Sequence, residues 1–126
     1  MKTDTADNVP RLVVVESPYR GGDARCIAYA RAALADCLSK NEAPFASHLL
    51  YTQPGVLKDS VPAERLLGLH AGWAFHWRVD AVVFYTDLGI SEGVALGIEH
   101  ALTAGCPVEY RTLDAWTPRK QEGKKP

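Results

Sequence analysis

The sequence predicts an α/β protein: a single domain on a parallel sheet of about four to five strands, with helices on both faces. Two kinds of segment predict it. Short runs such as "RLVVVES" and "DAVVFYT" are apolar almost throughout and rich in β-branched residues, as strands covered on both sides must be. Between such runs, apolar residues recur every three or four positions, the helical period. The two kinds alternate along the chain, and strand–helix–strand alternation builds a parallel sheet through right-handed crossovers.

The elements follow in order. Arg11 to Ser17 reads as the first strand, stopped by Pro18 and the pair Gly21-Gly22 in "SPYRGG". A helix then starts near Asp23, a suitable N-cap, with Ile27, Ala30, Leu34 and Cys37 or Leu38 turned inward. A short second strand is expected around Phe45 to Ser47, followed by a polar loop that carries His48 and closes at Pro54-Gly55. The next helix should open with Asp59 or Ser60 as cap, Pro62 in its first turn and Glu64 near its positive end. It carries Leu66, His70, Trp73 and Trp77 on one face. Ala81 to Thr86 is the third strand. Ser91 to Ala104 forms the third helix, with Val94, Ile98, Ala101 and Leu102 inward, ended by Gly105 and Pro107. Val108 to Leu113 is the last strand.

Bulk composition excludes several classes. The 126 residues suffice for one core, and 47% hydrophobic with 23% charged residues is ordinary for a soluble domain. A net charge of -1 lacks the basic surplus of a nucleic-acid-polymer binder. No apolar run reaches the length of a membrane span, and "MKTDTADNVP" has no apolar signal core. Cys26, Cys37 and Cys106 form no paired motif and read as reduced, buried thiols, which points to a cytoplasmic protein. Residues 1–9 are expected to be a disordered lead-in, residues 10–116 the domain, and residues 117–126 a basic disordered tail. Trp73, Phe75 and Trp77 are the first candidates for a surface shared between copies in a homodimer or larger assembly. No residue cluster has metal spacing, and no redox or metal cofactor is implied.

In an open parallel sheet the ligand lies beyond the carboxyl ends of the strands, where successive connections leave toward opposite faces. Two loops here leave strand ends directly, "SPYRGG" and "TDLGIS". Gly21, Gly22 and Gly89 allow close backbone approach, and Ser17, Tyr19, Thr86 and Ser91 supply hydroxyls. Ser91 also caps a helix whose first amides, at Glu92 and Gly93, form an anion seat. Arg20 offers a planar fork for phosphate or carboxylate. Asp87 and Glu92 are the candidate carboxylates for catalysis, and His48 is a candidate acid/base or base-contacting group. Each also has a plain structural reading: turn geometry for Gly89, capping for Ser91, a solvated dipole-favoured carboxylate for Glu92, a surface charge for Arg20.

The motifs "ESPYRGG", "PFASHLLYTQ", "PAERLLGLHAG", "DAVVFYTDLGIS" and "GCPVEYRTL", in this order from Val13 to Leu113, carry a resemblance. Together they resemble the nucleoside 2-deoxyribosyltransferase-like superfamily, closest to a small branch in bacterial and phage genomes. The resemblance implies a flavodoxin-like, Rossmann-like fold, a dimer or larger assembly, and action on the N-glycosidic bond of a deoxynucleoside or its monophosphate. It implies that Ser17, Tyr19, Arg20, Gly21 and Gly22 line the ligand and that Ser91 holds a 5′-phosphate. Asp87 and Gly89 match the turn before the catalytic helix. In that superfamily a glutamate eight positions before the glycine of a closing Gly-x-Pro-Val attacks C1′ of the sugar. Here that glycine is Gly105, and the corresponding position is Gly97. Two functions therefore stand: a nucleotide-processing enzyme with Asp87 or Glu92 in the role, or a non-catalytic nucleotide-binding module.

Overall fold

The computed structural model describes residues 8–113 and Trp116. The expectations for residues 1–7 and 117–126 lie outside the described residues. β1 (Arg11–Glu16), β2 (Glu42–Phe45), β3 (Ala81–Tyr85) and β4 (Val108–Arg111) form one sheet in the order β2-β1-β3-β4. Every pairing is parallel, with Arg11 opposite Glu42, Val13 opposite Ala81 and Val82 opposite Val108. This is the strand order of a flavodoxin-like, Rossmann-like sheet with four strands.

The continuous apolar run explains why β1 and β3 are central. Val13, Val14 and Val15 and all of Ala81–Tyr85 are at most 1% exposed, because each face meets its own layer. Side chains alternate across the pleat. Val13, Val15, Val83 and Tyr85 face α1 (Ala24–Ser39), which buries Cys26, Tyr29, Ala33 and Cys37 there. Val14, Val82 and Phe84 face the other way, onto Val94 and Ala101 of α4 (Glu92–Thr103). The cysteines are free and buried, as their spacing suggested.

Asp23 caps α1, its Oδ1 accepting from the amides of Arg25 at 2.8 Å and Cys26 at 3.2 Å. Ser91 caps α4 by accepting from the Val94 amide. The inward stripes run slightly off the expected ones: Leu38 and Leu102 are exposed, while Tyr29 and Ala33 take the core positions in α1.

Four expectations are corrected. The second strand lies earlier than Phe45 to Ser47: it ends at Phe45, set by its ladder with β1 and not by local propensity. The loop expected around His48 is a short helix, α2 (Ser47–Leu50), so His48 sits on a helical turn. Neither Asp59 nor Ser60 caps α3 (Pro62–Trp73); the N-cap position falls on Val61, and Pro62 takes the first turn as expected. Trp77 is not on the same helix as Trp73, since Ala74–Trp77 tightens into a 3₁₀ turn. That turn brings Phe75 onto Phe45, the rings stacked with centroids 4.1 Å apart. α3 packs mainly on α2 and α4. Pro44 sits in β2, an edge strand, where a residue without an N–H is tolerated.

Candidate functional site

The connections after β1 and β3 leave in opposite directions, the first through α1 to β2 and the second through α4 to β4. The switch between them opens a crevice at the strands' carboxyl ends. A cavity of about 310 Å³ occupies it, at the small end of the usual range for small-molecule sites. Five pieces of chain wall it: the end of β1 with its loop, α2 with its following turn, the loop before α3 at Leu57 and Asp59, the inner side of α3, and the first turn of α4.

From the β1 loop come Ser17, Tyr19, Arg20 and Gly21, and from α4 come Ser91, Glu92 and Gly93. His48 enters from α2. The structure thus brings eight of the expected site residues to one cavity: Ser17, Tyr19, Arg20, Gly21, His48, Ser91, Glu92 and Gly93. Gly22, Thr86, Asp87 and Gly89 are outside it. The Gly22 turn closes back on the Tyr19 ring, and Thr86 bonds to the Arg111 carbonyl of β4. Gly89 forms the bend after Leu88, with φ 86°, and helps the second loop meet the first.

Asp87 is placed for architecture. Its Oδ2 accepts from Tyr29 Oη at 2.7 Å and from the Leu113 amide at 2.8 Å, while its own amide donates to Tyr29 Oη at 2.8 Å. Tyr29 belongs to the core beneath α1, so this carboxylate is spent on joining α1, the β3 loop and the chain after β4. Burial, with the Asp87 hydrogen bond, pushes the Tyr29 hydroxyl well above the ordinary tyrosine range.

The two loops are latched to each other. Arg20 Nη2 donates to the Leu88 carbonyl at 2.9 Å, and Arg20 holds a left-handed backbone, φ 48°, ahead of Gly21 and Gly22. Ser17, 3% exposed, lies 2.9 Å from His48 Nε2. The His48 Nδ1 is enclosed and has no hydrogen-bond partner among the described residues. Burial holds the His48 imidazole below its ordinary pKa, against the opposing pull of Glu16, so the ring is neutral near pH 7.

Sequence reasoning missed four contributors. Glu16, the last residue of β1, lines the floor with a side chain only 12% exposed. In phase with Val14, it points toward α4, and its Oε2 lies 3.3 Å from where a Cβ on Gly97 would be. Trp73 lines the wall beside it and stacks on His100, ring centroids 5.2 Å apart. Arg65 lays its guanidinium against Gly93 at the start of α4 and has Asp59 at 3.9 Å. Glu64 accepts from the Lys58 amide at 2.8 Å and ties down the preceding loop. A carboxylate ending an otherwise apolar strand was the visible signal for Glu16; the helical face shared by Trp73 and Arg65 did not reveal what lay opposite.

A cavity at the carboxyl ends of a doubly wound parallel sheet defines the class: an α/β protein whose candidate site lies at its topological switch. Residues 11–111 match a family described as a domain of unknown function, DUF7768, and the chain belongs to that family. No curated protein matches the chain. Among the described residues there is no cluster of His, Cys, Asp and Glu able to hold a metal ion. No described helix is long and apolar enough to cross a membrane.

Proposed function

We propose that the protein binds a deoxynucleoside or its 5′-monophosphate in this cavity and acts on the N-glycosidic bond. The observation that carries the reading is the position of Arg65. A guanidinium against Gly93 places positive charge at the positive end of α4, where the helix already favours an anion. Arg20 lines the same cavity; with Asp59 3.9 Å from Arg65 and Glu92 opening the helix, the two guanidiniums beside this N-terminus still offer donors that suit a phosphate. The Glu16 carboxylate faces the space where a sugar would lie, and Tyr19, Tyr51 and Trp73 offer flat surfaces for a base. The resemblance to nucleoside 2-deoxyribosyltransferases points the same way.

A binding-only module is the second reading. It rests on Gly97, which stands where the resemblance places the attacking glutamate, while Glu99 two residues on is exposed. Incubation with deoxynucleosides and deoxynucleoside 5′-monophosphates, with free base followed by chromatography and binding by calorimetry, separates the two. Release of base, faster from the monophosphates, is expected. Arg65→Ala should weaken monophosphate binding about tenfold and leave the nucleoside unchanged, the equivalent of about 1.4 kcal/mol. Binding without release favours the module, and neither binding nor release removes both readings.

Self-association belongs to the same proposal. Leu66, Leu67 and Trp77 are 52%, 60% and 62% exposed, whereas Phe75 is committed to Phe45. Sedimentation should show a dimer or larger assembly that Trp77→Ser weakens.

A further inference from the structure

We propose that Glu16 is the carboxylate that attacks C1′ of the sugar, delivered from the end of β1 and not from α4. The assignment rests on the nucleoside reading above. Three observations carry it. The first is availability. Asp87 is spent on Tyr29 and Leu113, Glu64 on the Lys58 amide, and Asp59 lies 3.9 Å from Arg65. Glu92 stands exposed at the rim. Glu16 reaches the floor, and among the described residues its one contact in ion-pair range is His76 Nε2 at 3.9 Å, beyond hydrogen-bond distance.

The second is cost. A side chain that is 12% exposed, with no hydrogen-bond donor on its carboxylate among the described residues, depends on the cavity for its hydration. A packing role would be filled better by an apolar residue, as at the neighbouring Val13, Val14 and Val15. Such a group keeps its lone pairs free for a ligand.

The third is accommodation. Gly97 is buried in the middle of α4, where glycine costs about 1 kcal/mol relative to alanine. A Cβ there would sit 3.3 Å from Glu16 Oε2 and 3.6 Å from Trp73 Nε1. The helix has given up a side chain at the one place where the carboxylate needs room. His76, 2% exposed, backs the same carboxylate and is anchored through Nδ1 to His100 Nδ1 at 2.9 Å.

The chemistry balances with water as the only co-reactant. A Glu16 oxygen bonds to C1′ opposite the base as the C1′–N bond breaks. The bonding pair leaves with the base nitrogen, which takes a proton from solvent. Water then bonds to C1′, the ester C1′–O bond breaks, and the water's proton returns to solvent. Glu16 is again a carboxylate; the products are free base and deoxyribose or its 5-phosphate.

The test uses the whole chain and a panel of 2′-deoxy-2′-fluoroarabinonucleoside 5′-monophosphates, whose fluorine slows breakdown of a sugar ester. Intact mass and peptide mapping should place one sugar phosphate on Glu16. Glu16→Gln should lower base release from ordinary deoxynucleoside monophosphates by about a thousandfold or more while binding persists. If that variant does not fold, Glu16→Asp keeps the charge, withdraws it by one methylene, and should cost about a hundredfold. Undiminished turnover in the variant, or a label on another residue, overturns the assignment and leaves the nucleoside reading intact. A wild type that binds but neither releases base nor takes the label also overturns it. A wild type that does not bind the panel at all overturns the nucleoside reading and this assignment with it.

Discussion

Gly72→Ala measures how closely the cavity wall is built. Gly72 lies in the last turn of α3 and faces Ser47, the first residue of α2. An added Cβ would stand 2.6 Å from Ser47 Oγ and 2.9 Å from Ser47 Cβ. Rotating the hydroxyl removes only the first contact; the second atom is fixed to the backbone, so α2 and α3 must move apart. Overpacking of this kind costs about 1–3 kcal/mol. With a backbone-fixed atom at 2.9 Å the cost falls in the upper part of that range, about 2–3 kcal/mol, and the gain in helix propensity returns about 1 kcal/mol, leaving a net loss of about 1–2 kcal/mol. For a chain of this size that lowers the melting midpoint by roughly 4–8 °C. Urea denaturation should show a lower midpoint at unchanged slope. Gly68→Ala is the control. Its nearest neighbour is the mobile end of Leu57, Cδ1 at 3.2 Å, so the propensity gain should leave it neutral or slightly stabilised. The double variant Gly72→Ala/Ser47→Gly should recover part of the loss beyond additivity. A Gly72→Ala protein as stable as wild type would refute the close approach of the two helices.

Asp87→Asn should cost about 1.5–3 kcal/mol by removing a charged acceptor from Tyr29 and Leu113, with base release per folded molecule unchanged; calorimetry and the chromatographic assay check both. Asp23→Ala should remove about 1 kcal/mol by uncapping α1, read as a lower urea midpoint. Stability should depend on pH in two windows. Burial depresses the pKa of His48, and burial with His76 and His70 nearby depresses that of His100. The unfolded chain therefore binds protons first, and stability falls as pH drops below about 6.5. Glu42, held low by its hydrogen bonds to Arg111, and Glu109, held low by Arg11 and Arg111, add a second loss below about pH 4.5. Urea midpoints from pH 8 to 3 should show both declines, and His48→Gln should flatten the first.

The sheet was legible because β1 and β3 are buried on both faces and so could hardly be anything but apolar. The caps at Asp23 and Ser91 were legible for a local reason: one side chain answers amides two or three residues away. β2 was not, since "EAPF" has weak strand propensity. Its place is fixed by the ladder with β1 and by Glu42, whose two oxygens meet Arg111 nitrogens at 2.7 Å each. The β1 loop and the first turn of α4 do reach the crevice, whereas Thr86, Asp87 and Gly89 do not line it and Glu16, which the sequence reading passed over, does. Asp87 sits in a turn rich in ligand-binding residue types, yet Tyr29, 58 positions away, decides what it does. Glu16 looked like the end of a strand, and only the α4 backbone at Gly97 explains its freedom. Both outcomes depend on pairs distant in sequence, which no local pattern encodes.

The two margins of the sheet are chemically unequal. Along β2, Pro44 removes one backbone donor from a strand of four residues. β4 carries no proline within Val108–Arg111, and Tyr110 stands 58% exposed on it. Of the two margins, β4 is thus the one whose backbone carries an amide at every residue.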